Sequence, residues 1–233
     1  MTRSATPGAR RTAKLAALAL IVTGAIPSLT SVQAADAPPT EWDGLVRAQN
    51  KQLDHVYILP GADFSGYKRV RLDKVEVSFD KNWKPNDSTR GVSGRLSDSD
   101  IERIRTTLAD EFRKVFSDVL SKNGYPLVDH DDEDVLRVSP AIFNLYITAP
   151  EKMTAGRSRT YTTNAGHMSL LVELRDSVTN QLLGRAVDNV QGRETANFEI
   201  TNSVTNLGAA RNALTKWANI LVKGLNDADG RAK

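Results

Sequence analysis

Hydrophobic positions along this chain follow two rhythms. From Ile101 they recur at steps of three and four, through Ile104, Leu108, Phe112, Val115 and Val119, which lines one face of a helix. Ser97 stands where an N-cap belongs, Asp100 at the third helical position, and Leu96 and Ile101 at the two ends of a hydrophobic staple. Asn123-Gly124, followed by Pro126, stops the helix. A second helical rhythm puts Leu207, Ala210, Leu214, Trp217, Leu221 and Leu225 on one face, with Asn202 as the cap.

The other rhythm has period two. In HMSLLVELRD, Met168, Leu170, Val172 and Leu174 alternate with Ser169, Leu171, Glu173 and Arg175; SVTNQ turns the chain and LLGRAVDNV returns. HVYIL (55–59) is a short β run closed by Pro60-Gly61, and 135–147 is a strand interrupted by Pro140. KRVRLDKVEVSFD (68–80) reads as one longer strand with a fault. Val70 and Leu72 share one parity while Val75, Val77 and Phe79 share the other, which predicts a bulge or a change of buried face near Asp73-Lys74. The order β-α-β-β-β-α predicts an α+β domain: a small mixed or antiparallel sheet of about four strands, with two helices packed on one face.

The first 34 residues obey a different logic. Arg3, Arg10, Arg11 and Lys14 form a basic start without an acid, LAALALIVTGAI is an apolar run too short to span a bilayer, and Val32 and Ala34 are small side chains at a cleavage site. The expectation is a signal peptide over 1–34, cut between Ala34 and Ala35, then a leader segment over 35–54. A single α+β domain over 55–226 and a C-terminal tail over 227–233 complete it. Export makes the periplasm the expected location.

Removing the signal changes the charge. The whole chain carries 31 basic and 28 acidic residues, whereas the remainder has 27 basic against 28 acidic, a formal −1. A nucleic-acid role loses its electrostatic support. Cysteine is absent, which excludes disulfides, thiolate nucleophiles and a lipid-modified N-terminal cysteine. No apolar run long enough for a membrane span follows the signal.

Three groups invite chemistry. The acidic run Asp129-His130-Asp131-Asp132-Glu133-Asp134 has carboxylates for a cation but lacks the ligand spacing and glycine of a calcium loop, so a solvated turn is expected. Arg157, Arg159 and Tyr161, in the long polar segment 148–166, suit an anionic envelope component or a protein partner. Glu173, Asp176 and Arg185 belong to a hairpin, where Arg185 is expected across from Glu173 or Arg175 as a register-setting ion pair. His55, His130 and His167 are scattered, with no H-E-x-x-H pair and no G-x-S-x-G elbow. No catalytic residue, metal or cofactor is expected.

Two stretches, VYILPGADFSGYKRVRLDKVEV and AGHMSLLVELRDSVTNQLLGRAVDNVQGRE, resemble the bacterial domain-of-unknown-function family DUF3313. The distinctive parts are L-P-G-A-D-F-S-x-Y (59–67) and D-S-x-T-x-x-L-L (176–183) with Val-Asp at 187–188. The resemblance covers roughly 44–226. It implies an exported envelope protein of Gram-negative bacteria, from a family often lipid-anchored, although this chain has no lipobox cysteine. It supplies no activity. The functional expectation is a non-enzymatic envelope protein that binds another periplasmic or outer-membrane component. The alternative is a metal-dependent or carboxylate-based hydrolase using the acidic run or Glu173 with Asp176.

Overall fold

Asp43 and Gly44 both take left-handed backbone angles (φ 55° and 78°), the geometry of a two-residue hairpin turn for which Asp-Gly is suited. They join β1 (Glu41–Trp42) to β2 (Leu45–Ala48). Then follow β3 (His55–Ile58), β4 (Arg69–Leu72), β5 (Glu76–Phe79), α1 (Asp98–Lys122), β6 (Val135–Tyr146), β7 (Thr160–Thr162), β8 (His167–Asp176), β9 (Leu182–Gln191), β10 (Glu199–Thr201) and α2 (Ser203–Ala228). The computed structural model describes residues 38–84, 96–147, 160–162, 166–191, 199–201 and 203–230.

The main sheet has eight strands in the order β1-β2-β3-β9-β8-β6-β4, with β5 also paired to β6; β7 and β10 form a separate antiparallel pair. Strands β4 and β5 run parallel to β6, and the other pairings in the main sheet are antiparallel. This overturns the expectation of a small sheet of about four strands in the order β-α-β-β-β-α. The helices do not cap such a sheet as a pair. Instead α1 lies by the parallel end, where Arg105 Nε donates to the Val77 carbonyl at 3.0 Å, and α2 reaches β9 through Trp217. The undercount arose where strands are too short for a period to show. β1 and β2 lie inside the stretch read as a leader.

The parity fault in 68–80 has a structural meaning. Leu72 pairs with Val138 and Glu76 with Ala141, so four steps on one side oppose three on the other. The single strand expected there is therefore two strands. Pro140 explains why the break falls where it does. The Val138 carbonyl accepts from Asp73 N at 2.9 Å, so Pro140, two residues on, presents its missing N–H to the same edge. That edge is the gap between β4 and β5, where no ladder bond is needed.

Helix α1 opens as its sequence predicts. Ser97 and Asp100 form a reciprocal capping box, and Leu108, Phe112 and Val115 are buried. Phe116 and Leu120 are buried too, so the apolar face is wider than the six-residue stripe. Ser97→Ala is expected to cost about 1 kcal/mol. A thermal melt should fall by roughly 2–4 °C. Ala213, Leu214, Trp217, Ala218, Val222 and Leu225 of α2 join the same core, and Arg211 Nε pairs with Glu111 of α1 at 2.5 Å. The Asn202 cap lies outside the described residues.

Candidate functional site

Two helices about 10 Å wide shield roughly four strands spaced about 4.8 Å apart. The main sheet is wider than that. Val56 and Ile58 of β3 share a face with Ala186 and Gly184 of β9, and through them with Val172 and Leu174 of β8. That is the face on which α2 packs, yet Val56 and Ile58 are only half-buried. Between α2 and this part of the sheet lies a cavity of about 190 Å³.

Its walls are nearly all apolar. Leu170, Val172 and Leu174 come from β8, Trp217, Leu221 and Leu225 from α2, and Phe116 from α1. Leu53 and Phe64 reach in from loops, Leu53 being placed by a turn in which Asn50 Oδ1 accepts from the backbone of Gln52 and Leu53. At the exposed rim, Gly224 leaves open space where a side chain would stand: nothing lies within 4 Å of a Cβ built on it.

Two wall residues, Asn50 and Asp188, break the pattern, and the second is buried. Asp188 is 4% exposed and pairs across the ladder with Leu170, so strand parity turns its carboxylate toward the core. A carboxylate there needs partners. Trp217 Nε1 donates to Oδ2 at 2.7 Å, Lys216 Nζ lies 3.2 Å from the same oxygen, and Asp54 N donates to Oδ1 at 3.1 Å. The cavity is thus an apolar space with one anchored polar end.

The opposite face of the sheet is built from ion pairs. Glu173 and Arg185 are direct cross-strand partners. Arg185 donates to Glu173 Oε1 from Nε (3.0 Å) and Nη2 (2.6 Å), and Arg175 Nη2 donates to Oε2 at 2.6 Å. The hairpin of β1 and β2 closes over them. Asp43 Oδ2 sits 2.8 Å from Arg185 Nη1, and the Trp42 ring lies 4.0 Å from the guanidinium. Burial pushes the Glu173 carboxyl up, but the hydrogen bonds from Arg175 and Arg185 outweigh it and hold the group below the usual glutamate value. The Asp176 carboxyl is also held low, chiefly by the Thr179 backbone N–H. Burial, then the bond to Asp176, pushes the Tyr67 hydroxyl up.

Depressed carboxyls contribute stability that is complete above their unfolded pKa values and lost as pH falls through the folded ones. With unfolded values of about 4, the melting temperature should hold between pH 7 and 5 and fall below about pH 4. Glu173→Gln should flatten part of that fall. Thermal melts from pH 7 to 2.5 check both.

The residues singled out from sequence are dispersed. Arg157 and Arg159 lie outside the described residues, and Tyr161 stands in β7 opposite Ile200. The acidic run is clamped by arginines: Arg69 donates to Asp132 at 2.8 Å and to Asp134 at 2.9 Å, and Arg71 binds Asp131. Arg69 holds both Asp132 and Asp134 below the usual carboxylate range. No cluster of three or more His, Asp or Glu suited to a metal occurs among the described residues. His167 stacks on Tyr146, and its Nε2 is 3.7 Å from Asp80. Sequence reasoning missed Asp188 as a polar group in the core. The signal was its parity, shared with Ala186 on a returning strand.

The motifs that carry the family resemblance converge here. Tyr67 ends the first and donates to Asp176 at the start of the second, at 2.8 Å; Phe64 of the first and Asp188 after the second both line the cavity. A family described as "Protein of unknown function (DUF3313)" matches residues 38–221. The chain belongs to the DUF3313 family. No curated protein matches it. Solved structures similar to this DUF3313 chain include three bacterial proteins. The PelC dodecamer from Paraburkholderia phytofirmans is 9% identical, covering 69% of this chain and 92% of that one, at a TM-score of 0.34. A putative neuraminyllactose-binding hemagglutinin homolog from Helicobacter pylori is 10% identical, covering 73% and 88%, at 0.36. A minor lipoprotein from Acinetobacter baumannii is 11% identical, covering 71% and 95%, at 0.29. No residue role is carried over from these structures to the DUF3313 chain. Among the described residues no helix is long and apolar enough to cross a membrane.

Proposed function

We propose that this protein is an exported, non-enzymatic component of the bacterial envelope that binds an apolar group of another envelope component between α2 and β3. One observation carries the reading: a space of about 190 Å³ with apolar walls, a rim at Gly224 and a satisfied carboxylate at one end. Concave, mostly apolar space with few polar groups is the usual form of a small-molecule site. Export is supported by the basic, apolar and small-residue pattern of residues 1–34. The non-enzymatic part is supported by the carboxylates themselves. Asp131, Asp132 and Asp134 of the acidic run are engaged by Arg69 and Arg71, and Glu173 is held ionised between two arginines, which makes it a poor proton donor.

The test is binding of a neutral apolar dye, N-phenyl-1-naphthylamine, whose emission rises when it leaves water. The native protein should bind it. Gly224→Leu places a side chain at the rim and should weaken binding at least about tenfold, a loss of about 1.4 kcal/mol. Leucine suits a helix better than glycine by roughly 0.8 kcal/mol. The variant should therefore melt no lower than the native protein. Equal binding by both proteins contradicts the assignment.

A further inference from the structure

We infer that the apolar group is the tail of a single-chain fatty acid, its methylenes in the cavity and its carboxylate beside Lys216. This rests on the cavity being the binding site and names what it takes. The size sets the first limit. An apolar cavity of about 150 Å³ holds the six carbons of benzene. One of about 190 Å³ therefore takes the last six to eight carbons of a chain.

Backbone accounting favours an acyl chain over a peptide. β3 is hydrogen-bonded to β2 on one side and β9 on the other, and α2 satisfies its own backbone, so among the described residues no free strand edge borders the cavity. A peptide segment entering there would bring amide groups without partners. A methylene chain brings none.

Spare hydrogen-bond donors set the head group. Lys216 lies one helical turn before Ile220, which lines the cavity, so the two share a face of α2. Its side chain is 49% exposed, and among the described residues its ammonium makes one contact, 3.2 Å to Asp188. Asp188 is already served by Trp217 and Asp54 N, and the Asp54 carboxylate accepts from Asn189 N and Nδ2. An ammonium has three donors. Lys216 thus has capacity for a carboxylate at the water-facing end of a chain whose tail points inward.

Titration calorimetry with decanoate, decanol and decyltrimethylammonium tests this on the full chain. Decanoate should bind about tenfold or more tighter than decanol, and the cation weakest. Lys216→Met should bring decanoate down to the level of decanol without changing decanol, and Lys216→Arg should restore the difference. Lys216→Met takes one partner from the buried Asp188 and should melt lower, whereas Lys216→Arg keeps the charge and should melt like the native protein; an unchanged decanol affinity in Lys216→Met separates lost charge from lost fold. Decanol equal to or tighter than decanoate overturns the fatty-acid assignment and leaves the apolar site standing. So does an unchanged decanoate affinity in Lys216→Met. An apolar pentapeptide or a lysophospholipid that outcompetes decanoate overturns it in favour of that ligand. Failure of every amphiphile and of the neutral dye to bind overturns both readings.

Discussion

Phe116→Ala is expected to destabilise the protein by about 4 kcal/mol, the middle of the range for truncating a buried aromatic. The corresponding fall in melting temperature is roughly 8–16 °C. Phe116 is 1% exposed, stacks on Phe112 at 4.0 Å and forms part of the cavity wall. Its removal enlarges a space that already exists, and the sheet behind it cannot move in to fill the void. The same variant should bind bulkier apolar ligands than the native protein does. A ligand at one hundred times its dissociation constant returns about 2.7 kcal/mol by mass action. Melting with and without ligand should therefore show a larger ligand-induced rise in Phe116→Ala than in the native chain. A fall in melting temperature of only a degree or two would mean that this wall is not part of the tight core.

Glu173→Leu should cost about 3 kcal/mol, because it leaves one member of a buried ion pair without its partner. The cost comes from Arg185, which is 7% exposed and would keep the Trp42 ring and Asp43, a carboxylate that is itself 60% exposed. Arg175 can turn to water at little cost. The double variant Glu173→Leu with Arg185→Leu should recover most of the loss, since apolar pairs replace buried ion pairs with little penalty. Denaturant unfolding of both single variants and the double variant measures the coupling. Additive losses would show that the pair is not coupled. The hairpin of β1 and β2 supplies Trp42 and Asp43 to this arrangement, so the single variant should also loosen residues 41–48.

What could be read from sequence was what is local. The cap at Ser97 and the stripe from Leu108 to Val115 need only neighbours within a turn or two, and they stand as expected. The hairpin of β8 and β9 was legible from its alternation and turn, and its register resolves to Glu173 opposite Arg185. Sheet width was not legible. β1 has two residues, and β2, β3, β4 and β5 have four each, too few for a period to emerge. Asp43-Gly44 was the available signal for the first hairpin. The parity fault at Asp73-Lys74 announced the extra residue, but pairing of both halves with β6 depends on contacts some 65 residues away in sequence. The cavity was hidden for a similar reason. It exists because a helix layer falls short of a sheet, a relation between elements that no single segment encodes. Asp188 in turn looked like one more polar residue of a hairpin until its partners on α2 were in place.

The most direct test follows the three tryptophan indole N–H signals by nuclear magnetic resonance while an apolar ligand is added. Trp217 lines the cavity and donates to Asp188, Trp83 donates to the Ile147 carbonyl, and Trp42 stacks on Arg185 across the sheet. With decanoate, a saturating shift at Trp217 alone is the predicted result. Shifts at Trp42 or Trp83 with Trp217 unmoved would contradict the cavity as the site.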